Sequence, residues 1–414
     1  MIENVLDKFS DCVFLFLTGE SRDGQGLLVK RHSESLNVHG DFSFPNRVKS
    51  WHGYIDASKA KENDDSLLQC IGKSTDNLVR ESQNWVLQIN IVKEHKDRIH
   101  LFLDRTKSIR TGLKEALQTN ATVIKRINET LDSVTCDPLC NDDTLTSFRL
   151  RHLSRTIQNL CTLCGNKTPI FVSWKSSSIS PDGRHKVLCG AVVNAKTGNK
   201  ENAVDGNEFI RLRQDEMTLI AQHKYGVRVS TDSKWKEFIA NLGESAAIFE
   251  LLQTKPSSAV KINFDCSSTG SSKGAAFILY NCARLETIVR TFNEKVDDGT
   301  YPPLPDFEHT DFDLLTQEDE WSIIFNFIMG FPSLINNSMD IREATCEFRP
   351  HQICGFLCSM VRVFSQYYRR VRILTEPRKH LLPVLYARIH MLKILNETLK
   401  ICLKILNIKS VTQM

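Results

Sequence analysis

The longest apolar runs in this 414-residue sequence, Cys12–Leu17 among them, are only six residues long. A membrane-crossing helix needs about 18 or more, so no membrane association is expected. The opening Met1-Ile2-Glu3-Asn4 lacks a basic stretch, and Glu3 and Asp7 are acidic, so no secretory leader is expected. There is no internal repeat and no low-complexity tract, which argues against a solenoid or a disordered tail. No Ser/His/Asp or Cys/His arrangement is legible, and Gly24-Gln25-Gly26 is too short to cradle a phosphate. No catalytic residue is singled out.

What is present suits a globular chain. Hydrophobic residues make up 41% and charged residues 25%, enough for two or three domains. Thirteen cysteines, an odd number spread along the chain, suit reduced thiols in the cytoplasm, with a nuclear pool admissible. The net charge of +4 conceals a segregation: residues 294–320 hold ten acids and one lysine, whereas residues 361–414 hold eleven Lys/Arg and two Glu. Either these are solvated helix faces, or the basic end meets a polyanion.

Three regions are expected. Residues 1–116 read as α+β, with a hairpin formed by Trp85–Val92 and Arg98–Asp104 around a polar Lys93–Asp97 linker, then a helix over 108–119. Residues 117–262 hold short strands such as Pro169–Trp174 between Gly/Asn/Ser loops. Residues 263–414 are helical. Ile353, Phe356, Leu357, Met360, Phe364, Tyr367 and Val371 share one apolar face behind Pro350. A last helix, about 384–406, carries Leu385, Ile389, Leu392, Leu395, Leu399 and Cys402 opposite a Lys393, Glu397, Lys400, Lys404 stripe.

These residues carry a resemblance. The segment Gly274–Val289, with Tyr280-Asn281-Cys282-Ala283-Arg284, resembles the Tyr-Ala-His-Ala-Arg helix of arginyl-tRNA synthetases. Tyr367–Leu374 and the stretch from Arg388 to Met414 resemble the helix end and terminal helix of that family's DALR anticodon-binding domain, although the tetrapeptide Asp-Ala-Leu-Arg is absent. His39-Gly40-Asp41-Phe42-Ser43 resembles the Gly-Asp-Tyr turn of the N-terminal domain, which in the family contacts the tRNA elbow. The implied fold is multidomain α/β plus all-α: an N-terminal α+β domain, a shortened degenerate Rossmann-like middle and a C-terminal helical-bundle anticodon-binding domain.

The middle departs from the family. Its ATP-binding His-x-Gly-His turn has Arg149-Leu150-Arg151-His152 as counterpart, so a bulky cation stands in place of the glycine. The second nucleotide loop would fall near Asn194–Gly198 and is not intact. The resemblance is thus to shortened synthetase relatives without catalysis and without a cofactor. It implies an adaptor that binds arginine tRNAs and presents them to a tRNA 3-methylcytidine methyltransferase. A divergent active synthetase and an interaction protein docking through the acidic 294–320 segment stand as alternatives.

The implied RNA contacts are Tyr280, Arg284, Tyr368, Arg369, Arg370, Arg372, Arg378, Lys379, Arg388 and Met414, with Gly40 and Asp41 as a second grip. Tyr280, Arg284 and Thr287 lie at i, i+4 and i+7, opposite Ile278, Cys282, Leu285 and Val289. Tyrosine can stack on a splayed base while arginine holds phosphate; the plain alternative is a buried tyrosine beside a surface arginine. Cys136, Cys140, Cys161 and Cys164 approximate a four-thiolate zinc spacing. The last two also fall on the apolar face of a helix ending at Gly165, so no metal is expected.

Overall fold

The computed structural model describes residues 2–21, 28–55, 66–129, 133–137, 142–175, 183–225, 233–264, 270–342 and 345–411. The N-terminal part opens with α1 (Val5–Thr18), capped by the Asn4 side chain on Leu6 N–H and stopped by Gly19 at φ +78°. There follow β1 (Lys30–Arg31), α2 (Leu36–His39), β2 (Phe42–Pro45), α3 (Leu67–Cys70) and α4 (Thr75–Ser82). The hairpin of β3 (Ile89–His95) and β4 (Arg98–Leu103) completes an antiparallel sheet of order β1-β2-β4-β3. The linker expected at Lys93–Asp97 is mostly strand. Pairing runs to His95↔Arg98, and Lys96 turns the chain at φ +54°. Because β3 is an edge strand with little to bury, its polar residues did not mark an end.

The helix expected at 108–119 is twice as long: α5 (Arg105–Ile127) begins at the Asp104 cap and passes through the expected 116/117 boundary. In the middle part, β5 (Val134–Cys136), β6 (Ile170–Ser173) and β7 (His185–Leu188) form a parallel sheet, with α6 (Leu145–Cys164) between the first two. Then β8 (Val192–Asn194) pairs in parallel with β9 (Val260–Ile262) across α7 (Gly206–Tyr225) and α8 (Ser233–Leu252). Parallel pairs joined through helices are the βαβ connection of α/β folds.

The rest is helical: α9 (Gly270–Asp297), α10 (Glu318–Ser322), α11 (Phe331–Asn337), a short β10–β11 hairpin (Met339–Ile341, Cys346–Phe348), α12 (Pro350–Arg370) and α13 (Leu382–Ile405). After α10 the chain makes a π-type turn, closed by Met329 N–H on Ile324 O at 2.8 Å. The α12 face is buried at Ile353, Leu357, Met360, Phe364 and Tyr367, with Pro350 as its first residue. In α13 the expected apolar face is buried, and so are Ala387, Met391, Ile394, Leu403 and Ile405. It packs against α5, α6, α9 and α12, so it is a central helix rather than an outer one. One hydrophobic core runs from α1 to α13, with a small second core beneath β8 and β9. No described helix is long and apolar enough to cross a membrane.

Candidate RNA-binding surface

On α9, Tyr280 and Arg284 are one turn apart, and Arg284 Nη2 donates to Tyr280 Oη at 2.8 Å. The Arg284 guanidinium carbon lies 4.5 Å from the centroids of both the Tyr280 and Tyr368 rings. Nη1 also donates to Asn281 Oδ1 at 3.2 Å, so the group is fixed in place. Cation–π contact on two rings orients the cation while leaving donor capacity for a ligand. Tyr368 is 40% exposed. Ile278, Cys282 and Leu285 are buried on the other side of α9, which is what turns the Tyr280/Arg284 face outward.

This cluster borders a groove of about 760 Å³ between α7 and α8 on one side and α9 and α12 on the other. Arg284, Arg362 and Arg369 supply its cations; Trp235, Phe238 and Phe277 supply its aromatic surface. Trp235 and Phe238 meet edge to face with centroids 5.7 Å apart. Sequence reasoning missed Trp235, Phe238, Phe277 and Arg362. The i, i+3 spacing of the α8 aromatics and the i, i+7 spacing of Arg362 and Arg369 were the available signals.

The other candidates scatter. Arg370 is exposed at the end of α12 and pairs with Asp319 at 3.0 Å. Arg372, Arg378 and Lys379 are exposed in the connection before α13, with Arg378 paired to Glu376 at 2.6 Å. Arg388 is a correction: its Nε bonds Glu320 Oε1 at 2.8 Å, and Glu320 has no exposure and also accepts from Tyr367 Oη at 3.0 Å. A buried carboxylate needs such a partner, so the half-buried Arg388 is committed to Glu320. Burial, with Glu320 beside it, pushes the Tyr367 phenol well up.

Gly40 and Asp41 are the second correction. Both are buried. At Gly40, φ is +70° and a Cβ would sit 2.7 Å from Leu101 O, so the turn requires glycine. Asp41 accepts from Leu103 N–H and Trp321 Nε1, each at 2.8 Å, tying the sheet to α10. Burial pushes its carboxyl up to about 6. Met414 lies outside the described residues.

Two acids of the 294–320 segment pair with α5, while Glu294, Asp297, Asp298, Asp306, Asp311 and Asp313 are exposed. Glu308 meets Lys114 at 2.7 Å and Arg110 at 3.7 Å, Glu318 meets Arg105 at 2.5 Å, and Arg110 caps Thr310 O at 2.7 Å. These acids hold the segment against α5.

In α6, residues 149–152 lie one turn inside a continuous helix rather than at its opening. Arg149 is buried and donates to the carbonyl oxygens of Gly190, Ser258, Leu251, Lys255 and Thr254 at 2.6–3.5 Å. Burial lowers its affinity for the proton. His152 is buried against Phe148, and burial, aided by Arg155 and Arg151, holds it down near 4. Asn194–Gly198 is a tight turn, with Gly198 at φ +72°.

For zinc, Cys140 lies outside the described residues, and no three His, Cys, Asp or Glu among those described could hold a metal. Cys161 is buried on α6, with burial foremost in pushing its thiol up to about 12, and Gly165 ends that helix at φ +65°. Cys161 packs in the core on the apolar face of α6.

The DALR anticodon binding domain family matches residues 278–414. DALR anticodon-binding domain-containing protein 3 of Danio rerio is 33% identical over 236 residues, which is 55% of this chain and 41% of that protein. Arginine--tRNA ligase of Borrelia hermsii is 25% identical over 252 residues, 60% of this chain and 39% of the ligase. The chain therefore spans less than half of the curated relatives it matches. The crystal structure of arginyl-tRNA synthetase from Plasmodium falciparum superposes with a TM-score of 0.60 at 10% identity, covering 100% of both chains. This is an arginyl-tRNA-synthetase-like fold ending in a DALR anticodon binding domain, in a chain homologous over about half its length to DALR anticodon-binding domain-containing protein 3.

Proposed function

We propose that the protein is a non-catalytic, cytoplasmic tRNA-binding adaptor that recognises arginine tRNAs and supports 3-methylcytidine formation in their anticodon loop by a partner methyltransferase. The observation that carries the RNA-binding reading is Arg284 held between Tyr280 and Tyr368 at the edge of a groove containing Arg362 and Arg369. Unstacked loop bases pair their faces with tyrosine and guanidinium planes, and the remaining arginines neutralise phosphates. The absence of aminoacylation is argued from Arg149, whose donors are taken up by main-chain carbonyls at the counterpart of the ATP turn. The methyltransferase partner rests on the resemblance.

The test combines three measurements on the full chain: competitive binding of arginine and other tRNAs, arginine-dependent ATP–pyrophosphate exchange, and 3-methylcytidine in tRNA from cells lacking the protein. We expect preference for arginine tRNAs, no exchange, and reduced 3-methylcytidine. Exchange above background would restore the synthetase reading; equal affinity for all tRNAs with unchanged 3-methylcytidine would leave an interaction protein.

A further inference from the structure

One face of the N-terminal sheet concentrates positive charge, with Ser43 and His100 buried at its centre and Lys30, Lys93 and His95 exposed around them. The pairings Lys30↔Ser43, Ser43↔His100 and Lys93↔His100 place these four residues in one cross-strand row, and His95↔Arg98 lies alongside. The loop after β1 adds His32, and the end of α2 adds His39. Ring centroids of His32, His39 and His100 are 5.9, 6.0 and 6.3 Å apart, and His95 is 6.4 Å from His100.

The hydrogen bonds fix which ring nitrogens are available. Arg98 Nε and Nη2 donate to Ser43 Oγ at 3.2 and 3.0 Å, and a guanidinium can only donate. The Ser43 proton is then directed to His32 Nε2, 2.8 Å away, which leaves the His32 proton on Nδ1. His100 Nδ1 donates to the His39 carbonyl at 2.7 Å, so its Nε2 gains a donor only on protonation.

Among the described residues, no carboxylate pairs with any of these seven cationic or imidazole groups. The acids of the hairpin are turned elsewhere: Glu94 to Asn46 at 2.7 Å and Asp97 to Arg47 at 2.8 Å. Asp41 lies buried against Leu103 and Trp321, and Glu34, in the loop, is exposed. Burial, then Lys30, His100, His39 and Arg98, hold His32 near 4. A positive field without a counter-charge is relieved by an external anion.

We infer that this face is a phosphate-oxyanion site, formed by His32, His39 and His100 with Lys30, Lys93 and Arg98, whose occupancy is coupled to proton uptake by the imidazoles. The oxyanion is either a backbone phosphodiester of RNA or a free phosphate; only the first source rests on the tRNA-binding reading above. An anion stabilises imidazolium, so each bound phosphate raises the histidine titration midpoint and binds more tightly as pH falls.

The experiment is histidine-resolved NMR of the full chain, titrated with pyrophosphate and with a short single-stranded RNA at about pH 6 and about pH 8. Pyrophosphate is expected to shift the His32 and His100 signals and to bind about tenfold more tightly at the lower pH, the scale of one charge-assisted contact. His32→Gln with His39→Gln should remove that pH dependence, and His39→Gln alone, at an exposed position, should reduce it. Displacement of pyrophosphate by RNA identifies the phosphodiester; retention identifies the free anion. No histidine response to saturating pyrophosphate at pH 6 overturns the site, as does identical binding by wild type and both variants. Loss of tRNA binding in Tyr368→Ala with the histidine response intact concerns the groove and leaves this face standing.

Discussion

Arg149 in α6 and Arg284 in α9 both sit within long helices, and the two regions use the same side chain in opposite ways. In the middle part, loop carbonyls from Gly190 and from Leu251 to Ser258 surround Arg149, and its donors are consumed in holding those segments together. In the helical part, backbone groups are already paired along the helices, so Arg284 turns to side chains and presents its faces to two tyrosines. The availability of unpaired main-chain carbonyls decides whether an arginine becomes part of the fold or part of a surface.

The largest effect should come from breaking the first of these. Arg149→Met leaves buried carbonyls without donors and should cost about 3–5 kcal/mol in urea unfolding. An unchanged midpoint would mean that the clamp is not structural, and the contrast with Arg284 would fail. Arg388→Met, which strands Glu320, should cost about 3 kcal/mol of stability; if it instead weakened RNA binding at full stability, Arg388 would return to the surface set. Tyr368→Ala should leave unfolding unaltered but weaken tRNA binding by about 1–3 kcal/mol, read by competition.

The smallest expected effect sharpens the comparison at the N-terminal sheet. The Asp41 carboxyl is raised in the fold to about 6 from 3.8, so its contribution to stability is full below pH 3.8 and is lost as pH rises through 6. Between pH 5 and pH 7, wild type should lose about 1 kcal/mol relative to Asp41→Asn. Parallel curves for the two proteins would show that Asp41 is not desolvated as the structure has it.

Much of the helical part was legible because its signals are local. Apolar spacing located α12 and α13, Pro350 marked the start of α12, and Tyr280 with Arg284 could be placed on one face from their four-residue separation. The groove was only half legible, since Trp235 and Phe238 come from a helix whose packing against α9 no spacing announces. The histidine face was not legible at all. His32, His39, His95 and His100 are separated by irregular intervals, and the register of β3 on β4 together with the fold of the β1–α2 connection brings their rings together.

By itself the sequence determined that a hairpin forms near 85–104 and that helices α12 and α13 form where they do, because capping residues and hydrophobic period act over a few neighbouring residues. Tertiary structure alone decided the fate of the charges. Arg388 finds Glu320 across 68 positions and Asp41 finds Trp321 across 280, while Glu308 and Glu318 of the acidic segment pair with Lys114 and Arg105 of α5. A side chain's exposure and partners are set by chain segments far away in sequence, and a charge is the same letter whether water or the protein interior surrounds it.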